Sequence, residues 1–243
     1  MSKTVMITGA SGGIGSALAK RFAKEGWNLI LCYNRSEKKM TDLKDEILAK
    51  YHCTPRVECL DLTDGASVAK LFDVFEMEKV SIDLLINNAG ISYVGLLQDM
   101  SDEEWQNVIN TNLSSCFYTC KGVLPSMIEK QAGCIINISS VWGNVGASTE
   151  VAYSASKGGI VAFTKALAKE VAPSGIAVNA IACGYIDTSM NSHLSEEEKR
   201  DLFEEIPCGR PGTPDEVADT VFRFADASPY LTGQIITLDG GWT

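Results

Sequence analysis

Tyr153 and Lys157 are the residues of this 243-residue sequence best suited to proton transfer. On a helix, positions four residues apart lie on the same face, so the lysine ammonium would come close to the tyrosine hydroxyl. A nearby cation stabilises a phenolate and lowers the pKa of tyrosine from its ordinary value of about 10. We therefore expect Tyr153 to act as a general acid or base near neutral pH.

Polar residues at two other places in the sequence would assist this chemistry. Ser139 and Ser140 end a predicted strand shortly before Tyr153, where a serine hydroxyl could bind the oxygen of a substrate. Asn112 lies within a predicted helix beside apolar residues. Because asparagine is a poor helix former, a polar task is expected of it. A helix kink or a buried amide network is the alternative explanation for Asn112.

A glycine-rich turn lies between the first predicted strand and the first predicted helix. Glycines at positions 9, 13 and 15 let the backbone turn tightly and approach a ligand, and the helix N-terminus offers free N–H groups to a pyrophosphate. No Lys-Ser or Lys-Thr pair follows, so a triphosphate-binding loop does not fit. The residues expected to bind a dinucleotide in this turn are Gly9, Ser11, Gly12, Gly13, Ile14 and Gly15.

The end of the second predicted strand favours NADP(H), with NAD(H) as the alternative. An NAD site usually carries an acidic residue about twenty positions beyond the glycines, on the ribose hydroxyls. Here Asn34, Arg35 and Ser36 stand at that point, and no acid occurs before Glu37. Arg35 and Ser36 could bind a 2′-phosphate, which a carboxylate would repel. The alternative is that Arg35 only begins an exposed helix.

Short apolar runs rich in β-branched residues alternate with amphipathic stretches along the chain. This alternation is typical of βαβ units, and continuous apolar runs indicate strands covered on both faces. We therefore predict an α/β fold: a single doubly wound Rossmann domain over residues 1–243, with a mostly parallel seven-stranded sheet and helices on both faces. The predicted strands are 4–8, 28–33, 56–60, 82–86, 133–138, 176–181 and 234–238, and the predicted helices are 13–25, 36–50, 64–78, 102–130, 151–171 and 214–226.

Local patterns refine this arrangement. Residues 56–60 alternate between polar and apolar side chains, which indicates a strand nearer an edge of the sheet. Ser101 with Glu104 predicts a capping box at the start of helix 102–130. Residues 187–206 are polar and acidic and fall between two core strands, where an insertion of this length is often a lid over a site. The alternative is a solvated amphipathic helix pair without a gating role.

The composition argues against several classes of function. A net charge of −10 without a basic arm disfavours nucleic acids and anionic membranes as partners. No stretch approaches about eighteen consecutive apolar residues and the first residues lack a signal-peptide pattern, so we expect a cytoplasmic protein. The eight cysteines form no C-x-x-C pair, and His52 and His193 are not spaced with them as ligands. We therefore expect reduced cysteines and no metal.

Taken together, these motifs resemble those of the short-chain dehydrogenase/reductase family, and the resemblance covers essentially the whole chain. So many correctly spaced matches are very improbable by chance. The matching segments are the turn 8–15, Asp61-Leu62, Asn87-Asn88-Ala89-Gly90, the set Asn112, Ser140, Tyr153 and Lys157, the pair Thr232-Gly233, and Leu238-Asp239-Gly240-Gly241.

The resemblance implies a role for each matching residue. Lys157 would bind the nicotinamide ribose and lower the pKa of Tyr153. Ser140 would polarise a ketone, Asn112 would hold a water of the proton relay, and the cofactor would supply hydride. The other implied cofactor contacts are Asp61 and Leu62 on adenine, Asn88, Ala89, Gly90 and Ile138 along the cleft, and Gly184, Ile186 and Thr188 beside the nicotinamide.

The chain also departs from the family pattern. Cys183-Gly184 replaces the usual Pro-Gly, and Gly12 stands where NADP-dependent relatives often carry a basic residue. The resemblance further implies a homotetramer, assembled through the helices 102–130 and 151–171.

Within the family, the chain resembles the 3-oxoacyl-[acyl-carrier-protein] reductases, whose ketone substrate is carrier-bound. Residues 139–143 and 146–154 also resemble the bacterial reductase of the 5-aminopentanone group on a lysine of elongation factor P. The surfaces beside the cleft carry little positive charge, which weakens the capture of an acidic carrier. Another alcohol or sterol dehydrogenase and a non-catalytic cofactor-binding regulator are further alternatives, although the intact catalytic set argues against the regulator.

Three residues are expected at the substrate. Glu150, one helical turn before Tyr153, could bind a substrate amine while Trp142 packs on its alkyl part, and Tyr185 would lie nearby. The alternative is that Glu150 only stabilises the first turn of a helix through the helix dipole.

Overall fold

A single parallel sheet organises the protein. The computed structural model describes residues 2–191 and 195–243. Within these residues the strand order is β3-β2-β1-β4-β5-β6-β7, and every neighbouring pair is parallel. This confirms the predicted doubly wound Rossmann fold, with a sheet that is entirely rather than mostly parallel. The strands are β1 (Thr4–Ile7), β2 (Asn28–Tyr33), β3 (Arg56–Cys59), β4 (Leu84–Asn87), β5 (Gly133–Ser140), β6 (Ile176–Cys183) and β7 (Ile235–Leu238).

Helices cover both faces of the sheet. One face packs against α1 (Gly13–Lys24), α2 (Glu37–Tyr51) and α9 (Pro214–Ala225), and the other against α3 (Gly65–Met77), α5 (Ser115–Glu129) and α7 (Val151–Val171). The shorter helices are α4 (Asp102–Ile109), α6 (Trp142–Val145) and α8 (Glu196–Glu205). No helix in the described part of the chain is long and apolar enough to cross a membrane.

The strand sequences are explained by burial on both faces. In β1, Val5 and Ile7 enter the core beneath α1, whereas Met6 enters the core on the opposite face. A strand buried on both sides can have no polar face, which is why it reads as a continuous apolar run. The strand β3, whose residues alternate, lies at an edge of the sheet as predicted.

The predicted helix 102–130 is divided by a π-helical turn. The turn covers Asn110–Ser114, between α4 and α5, and the Ser115 N–H bonds to the Asn110 carbonyl, five residues back. Sequence propensity does not distinguish this turn from α-helix, so the prediction of one regular helix was wrong here. π-turns occur frequently at functional sites. The capping box of Ser101 and Glu104 at the start of α4 is confirmed.

The segment 187–206 is helical where it is described. A short 3₁₀ turn covers Ser189–Asn191, and α8 begins after a capping box formed by Ser195 and Glu198. Residues 192–194, which include His193, lie outside the described residues. At the base of the segment the Asp187 N–H donates to the Gly212 carbonyl at 2.9 Å. A lid role for this segment stays a prediction.

Candidate active site

A cavity of about 1070 Å³ opens at the carboxyl edge of the sheet. The ends of β1, β4, β5 and β6 border it, around the point where the strand order reverses between β1 and β4. Ligands bind at this point in open α/β sheets. Every predicted cofactor, catalytic and substrate residue lines this cavity except Asn112.

The glycine-rich turn has no room for side chains. A Cβ at Gly15 would lie 2.3 Å from the Gly9 carbonyl oxygen, and one at Gly13 would lie 2.8 Å from a methyl carbon of Thr188. Gly9 itself has a φ of 63°, in the region that favours glycine. The turn leads directly into α1, whose N-terminus faces the cavity. The three glycines therefore form a backbone cradle of the kind that a dinucleotide phosphate requires.

The loop after β4 is fastened to the glycine turn by reciprocal hydrogen bonds. The Thr8 hydroxyl oxygen accepts from the backbone N–H groups of Asn88 at 2.9 Å and Ala89 at 3.0 Å. In return the Asn88 side-chain amide donates to the carbonyl of Thr8 at 2.9 Å and to that of Gly9 at 3.2 Å. This network of hydrogen bonds holds the two predicted cofactor loops next to each other.

One end of the cavity collects the residues predicted to recognise adenosine. Asn34, Arg35 and Ser36 follow β2, and Asp61 and Leu62 follow β3 on the adjacent strand. Arg35 and Lys157 are the only lysine or arginine side chains among the described lining residues. Among the described residues, Arg35 is therefore the one lysine or arginine that lines the end predicted to hold adenosine.

Ser140, Tyr153 and Lys157 meet at the other end of the cavity. The Ser140 side chain lies close enough to the Tyr153 hydroxyl to lower the pKa of that group. The Lys157 Nζ lies 5.5 Å from the centre of the Tyr153 ring and donates to the Ile138 carbonyl at 2.9 Å. The backbone N–H of Trp142 donates to the Ser140 hydroxyl oxygen at 3.2 Å, which helps to orient that hydroxyl. The structure thus brings together the three residues that the sequence suggested for proton transfer to a carbonyl.

Burial favours the neutral form of both titrating groups. Burial raises the pKa of Tyr153 above its ordinary value, and the neighbouring Ser140 side chain only partly opposes this. Burial also lowers the pKa of Lys157 to about 8. The pKa of Tyr153 in this structure is thus raised rather than lowered, because desolvation outweighs the effect of Ser140 and the charges of Cys183 and Glu150 raise it further. The effect expected of Lys157 on this pKa stays a prediction. A phenol that stays protonated near neutral pH is the form needed to donate a proton.

Asn112 lies behind the cavity rather than in it. Its carbonyl oxygen accepts from the Ile91 N–H at 2.8 Å, and its amide donates to the Ile91 carbonyl and the Ser156 hydroxyl, both at 2.9 Å. Both amide hydrogens are thus used within the protein, as in the buried amide network considered above. The backbone of Gly90, in the loop after β4, passes close to both Asn112 and Lys157. A Cβ added at Gly90 would lie 3.3 Å from the side-chain oxygen of Asn112 and 3.5 Å from the Lys157 Nζ. Asn112 therefore supports the loop beside Lys157, and its role in holding a water stays a prediction.

The predicted substrate residues form one wall of the cavity. Trp142, Glu150 and Tyr185 line it as expected. Cys183 also lines it, together with Met190, Leu202 and Glu205 from the predicted lid segment 187–206. No spacing or motif indicated Trp242, because only the fold brings the last residues of the sequence to this wall.

Comparison with known proteins defines the class. Residues 3–199 match the family model described as short chain dehydrogenase, so the chain belongs to the short-chain dehydrogenase family. It is an oxidoreductase of the type that acts on CH–OH groups, and members of this family bind NAD(P)(H).

Relatives with curated names are similar over their full length. An "Uncharacterized oxidoreductase YmfI" from Bacillus subtilis is 38% identical over 243 residues, which cover 100% of this chain and 99% of the relative. The 3-oxoacyl-[acyl-carrier-protein] reductase FabG of Chlamydia trachomatis is 39% identical, covering 99% and 97% of the two chains. That of Staphylococcus aureus is 38% identical, covering 99% and 98%.

The buried lysine generates a prediction about stability. Its pKa falls from 10.5 to about 8 on folding. Between pH 8 and pH 10.5, Lys157 is largely protonated in the unfolded chain and largely neutral in the folded protein. Because the unfolded chain binds more protons in this range, Lys157 makes the free energy of unfolding rise with pH. Relative to Lys157→Met, the wild type should gain about 2 kcal/mol between about pH 7.5 and about pH 10, as measured by urea denaturation.

The exposed Lys38 on α2 provides a matched control. Lys38→Met should follow the wild type across the same pH range. A Lys157→Met variant whose stability also runs parallel to the wild type would show that the amine is not desolvated in the folded protein.

Proposed function

We propose that this protein reduces a ketone to a secondary alcohol with NADPH, and that Tyr153 donates the proton. The observation that carries the proposal is that Ser140, Tyr153 and Lys157 lie together in the same cavity as the glycine cradle. The turn fits a dinucleotide, since its glycines line the cavity at the N-terminus of α1 and a Cβ at Gly13 or Gly15 would clash with Thr188 or the Gly9 carbonyl and displace the turn. A bound reduced nicotinamide would supply the hydride.

Different lining residues would bind different parts of the cofactor. Gly9, Ser11, Gly12, Gly13, Ile14 and Gly15 would hold the pyrophosphate through backbone N–H groups, and Asp61 with Leu62 would hold adenine. Arg35, with Asn34 and Ser36, would bind the 2′-phosphate. The residues proposed beside the nicotinamide half are Asn88, Ala89, Gly90, Tyr153, Lys157, Gly184, Ile186 and Thr188, all of which line the cavity.

The proton would move along a short path at the catalytic end. Ser140 and Tyr153 would both hydrogen-bond the ketone oxygen, and the phenol proton would pass to that oxygen as negative charge develops. The Lys157 amine, with a pKa of about 8, can exchange protons near neutral pH and would restore the phenol. Asn112 would keep the loop beside Lys157 in place.

A 3-oxoacyl group on a carrier is the first substrate that we propose. Relatives named 3-oxoacyl-[acyl-carrier-protein] reductase match nearly the whole chain, and a cavity of about 1070 Å³ leaves room for an acyl group beside a dinucleotide. We also propose a homotetramer. It is supported by apolar side chains exposed on the helices expected to pair, namely Trp105, Phe117 and Ile128 on α4 and α5 and Val151 on α7.

A ketone that carries an amine is the second candidate, and charge favours it. Glu150 and Glu205 line the substrate end, where Lys157 is the only cation among the described lining residues. The charge of Glu150 also contributes to the raised pKa of Tyr153, so the carboxylate acts on the reacting group. A cationic substrate, such as the 5-aminopentanone group on a lysine of elongation factor P, would bind such a site more readily than an acidic carrier.

The reaction is tested by the loss of NADPH absorbance with acetoacetyl thioesters and an amino-ketone. Tyr153→Phe should lower kcat by about 10²- to 10⁴-fold without weakening NADPH binding, because only the transferred proton is lost. Turnover by Tyr153→Phe at the wild-type rate would refute the proposed proton donor. NADPH binding without reduction of any ketone would instead favour the non-catalytic regulator.

Cofactor preference is tested at Arg35. Removing the charge in Arg35→Ala should weaken NADPH binding about 10- to 100-fold, because a charged hydrogen bond to the 2′-phosphate is lost, and should leave NADH binding nearly unchanged. The exposed Arg223 on α9 serves as the control, since Arg223→Ala should alter neither. An equal loss of NADH and NADPH binding would contradict the assignment.

The two substrates are separated by Glu150→Gln. If Glu150 binds a substrate amine, the variant should lose about tenfold or more in kcat/KM for the amino-ketone and much less for the acyl thioester. If Glu150 acted only by changing the pKa of Tyr153, the variant would lose the same factor in kcat/KM with both substrates. Equal losses would therefore reject the amine site.

A further inference from the structure

Two tryptophans that are 100 positions apart in the sequence meet at the substrate end of the cavity. The ring centres of Trp142 and Trp242 are 4.8 Å apart with an angle of 62° between the planes. Both residues are half-buried and both line the cavity. We call them the tryptophan pair. Because the rings pack edge to face, each one limits the orientations open to the other.

Trp242 is held in place by the carboxylate of Asp239. One carboxylate oxygen accepts from the Gly241 N–H at 2.9 Å, and the other accepts from the Thr243 N–H at 2.8 Å. These two bonds fix the backbone on both sides of Trp242. Burial opposes ionisation of Asp239, but the hydrogen bonds from Thr243 and Gly241 outweigh it and lower the pKa of the carboxyl group.

Two glycines direct the same segment towards the cavity. Gly240 and Gly241 have φ values of 69° and 86°, which side chains rarely adopt. The Gly240 carbonyl accepts from the Cys208 N–H at 3.1 Å, and a Cβ at Gly240 would lie 2.9 Å from the Ile206 side chain. The segment therefore packs tightly against the residues that follow α8.

The tryptophan pair lies beside the proposed carbonyl site. Trp142 is two residues beyond Ser140, and its backbone N–H donates to the Ser140 hydroxyl oxygen. On the other side, a Cβ at Gly184 would lie 2.7 Å from the Asp239 Cα, so the segment that holds Trp242 also contacts the turn after β6. A ketone bound at Ser140 would thus direct one of its substituents along the tryptophan rings.

We propose that Trp242 determines specificity by binding, together with Trp142, the unbranched hydrocarbon chain next to the ketone. The inference rests on the proposed ketone reduction and extends it to the substituent that is recognised. Tyr185, Met190 and Leu202 also line the cavity and give this end further apolar surface. Aromatic rings bury a methylene chain favourably, and each added methylene in such a contact increases the affinity.

The test uses a series of 3-oxoacyl thioesters that differ only in chain length, with NADPH absorbance as the readout. For the wild type, kcat/KM should rise with chain length. Trp242→Ala should remove this rise, with a loss of about tenfold in kcat/KM for the longest chain through KM and little change for the shortest. Trp242→Phe should restore most of the length dependence, because it retains a ring.

Controls separate this result from a general loss of structure. Tyr230 is 97% exposed and lies outside the cavity, so Tyr230→Ala should behave as the wild type. NADPH affinity should be equal in all variants. An unchanged length dependence in Trp242→Ala, or an equal loss at every chain length, would overturn the inference.

A binding measurement distinguishes this inference from the proposed reaction. A long-chain 3-hydroxyacyl thioester should quench the tryptophan fluorescence of the wild type more strongly than that of Trp242→Ala, with no need for turnover. If no ketone is reduced but this difference is present, the proposed function fails and the tryptophan site stands. If ketones are reduced and the difference is absent, only the tryptophan site fails.

Discussion

The burial of the Lys157 amine beside the half-buried Tyr153 side chain is the constraint on which this site depends. Removal from water favours the neutral form of each group, so the phenol keeps its proton and the pKa of the amine falls to about 8. The amine donates a hydrogen bond to the carbonyl of Ile138, two residues before the end of β5. A neutral acid beside a group that exchanges protons near neutral pH is a suitable arrangement for protonating a carbonyl.

The parallel sheet makes this arrangement possible. Because all strands run in one direction, their carboxyl ends bring the glycine turn after β1, Asn88 after β4, Ser140 at the end of β5 and Gly184 after β6 to the same edge. Hydrogen bonds between Thr8 and the loop of Asn88 join two of these segments directly. The cradle for a dinucleotide and the proton-transfer residues are thus parts of one rigid edge, as required of a site that must align a cofactor with a substrate.

Much of this arrangement could be predicted because local spacing encodes it. The four-residue interval between Tyr153 and Lys157 and the glycines of the first turn correspond to geometry within one or two elements. The π-turn around Asn112 could not be predicted, since it differs from α-helix by a single hydrogen-bond shift. The direction of the Tyr153 pKa was missed because spacing reveals a neighbouring charge but not the extent of burial. Trp242 was missed because only the folded chain brings it to Trp142.

The protonation state of Tyr153 tests the central claim most directly. It can be followed by NMR in protein whose tyrosines carry ¹³C at the ring carbon bonded to oxygen, with the Tyr153 resonance identified by its loss in Tyr153→Phe. Burial predicts that this resonance keeps the chemical shift of a phenol from neutral pH to beyond about pH 10. A titration with its midpoint near neutral pH would show that the lysine charge, rather than desolvation, controls the tyrosine, and would contradict the account.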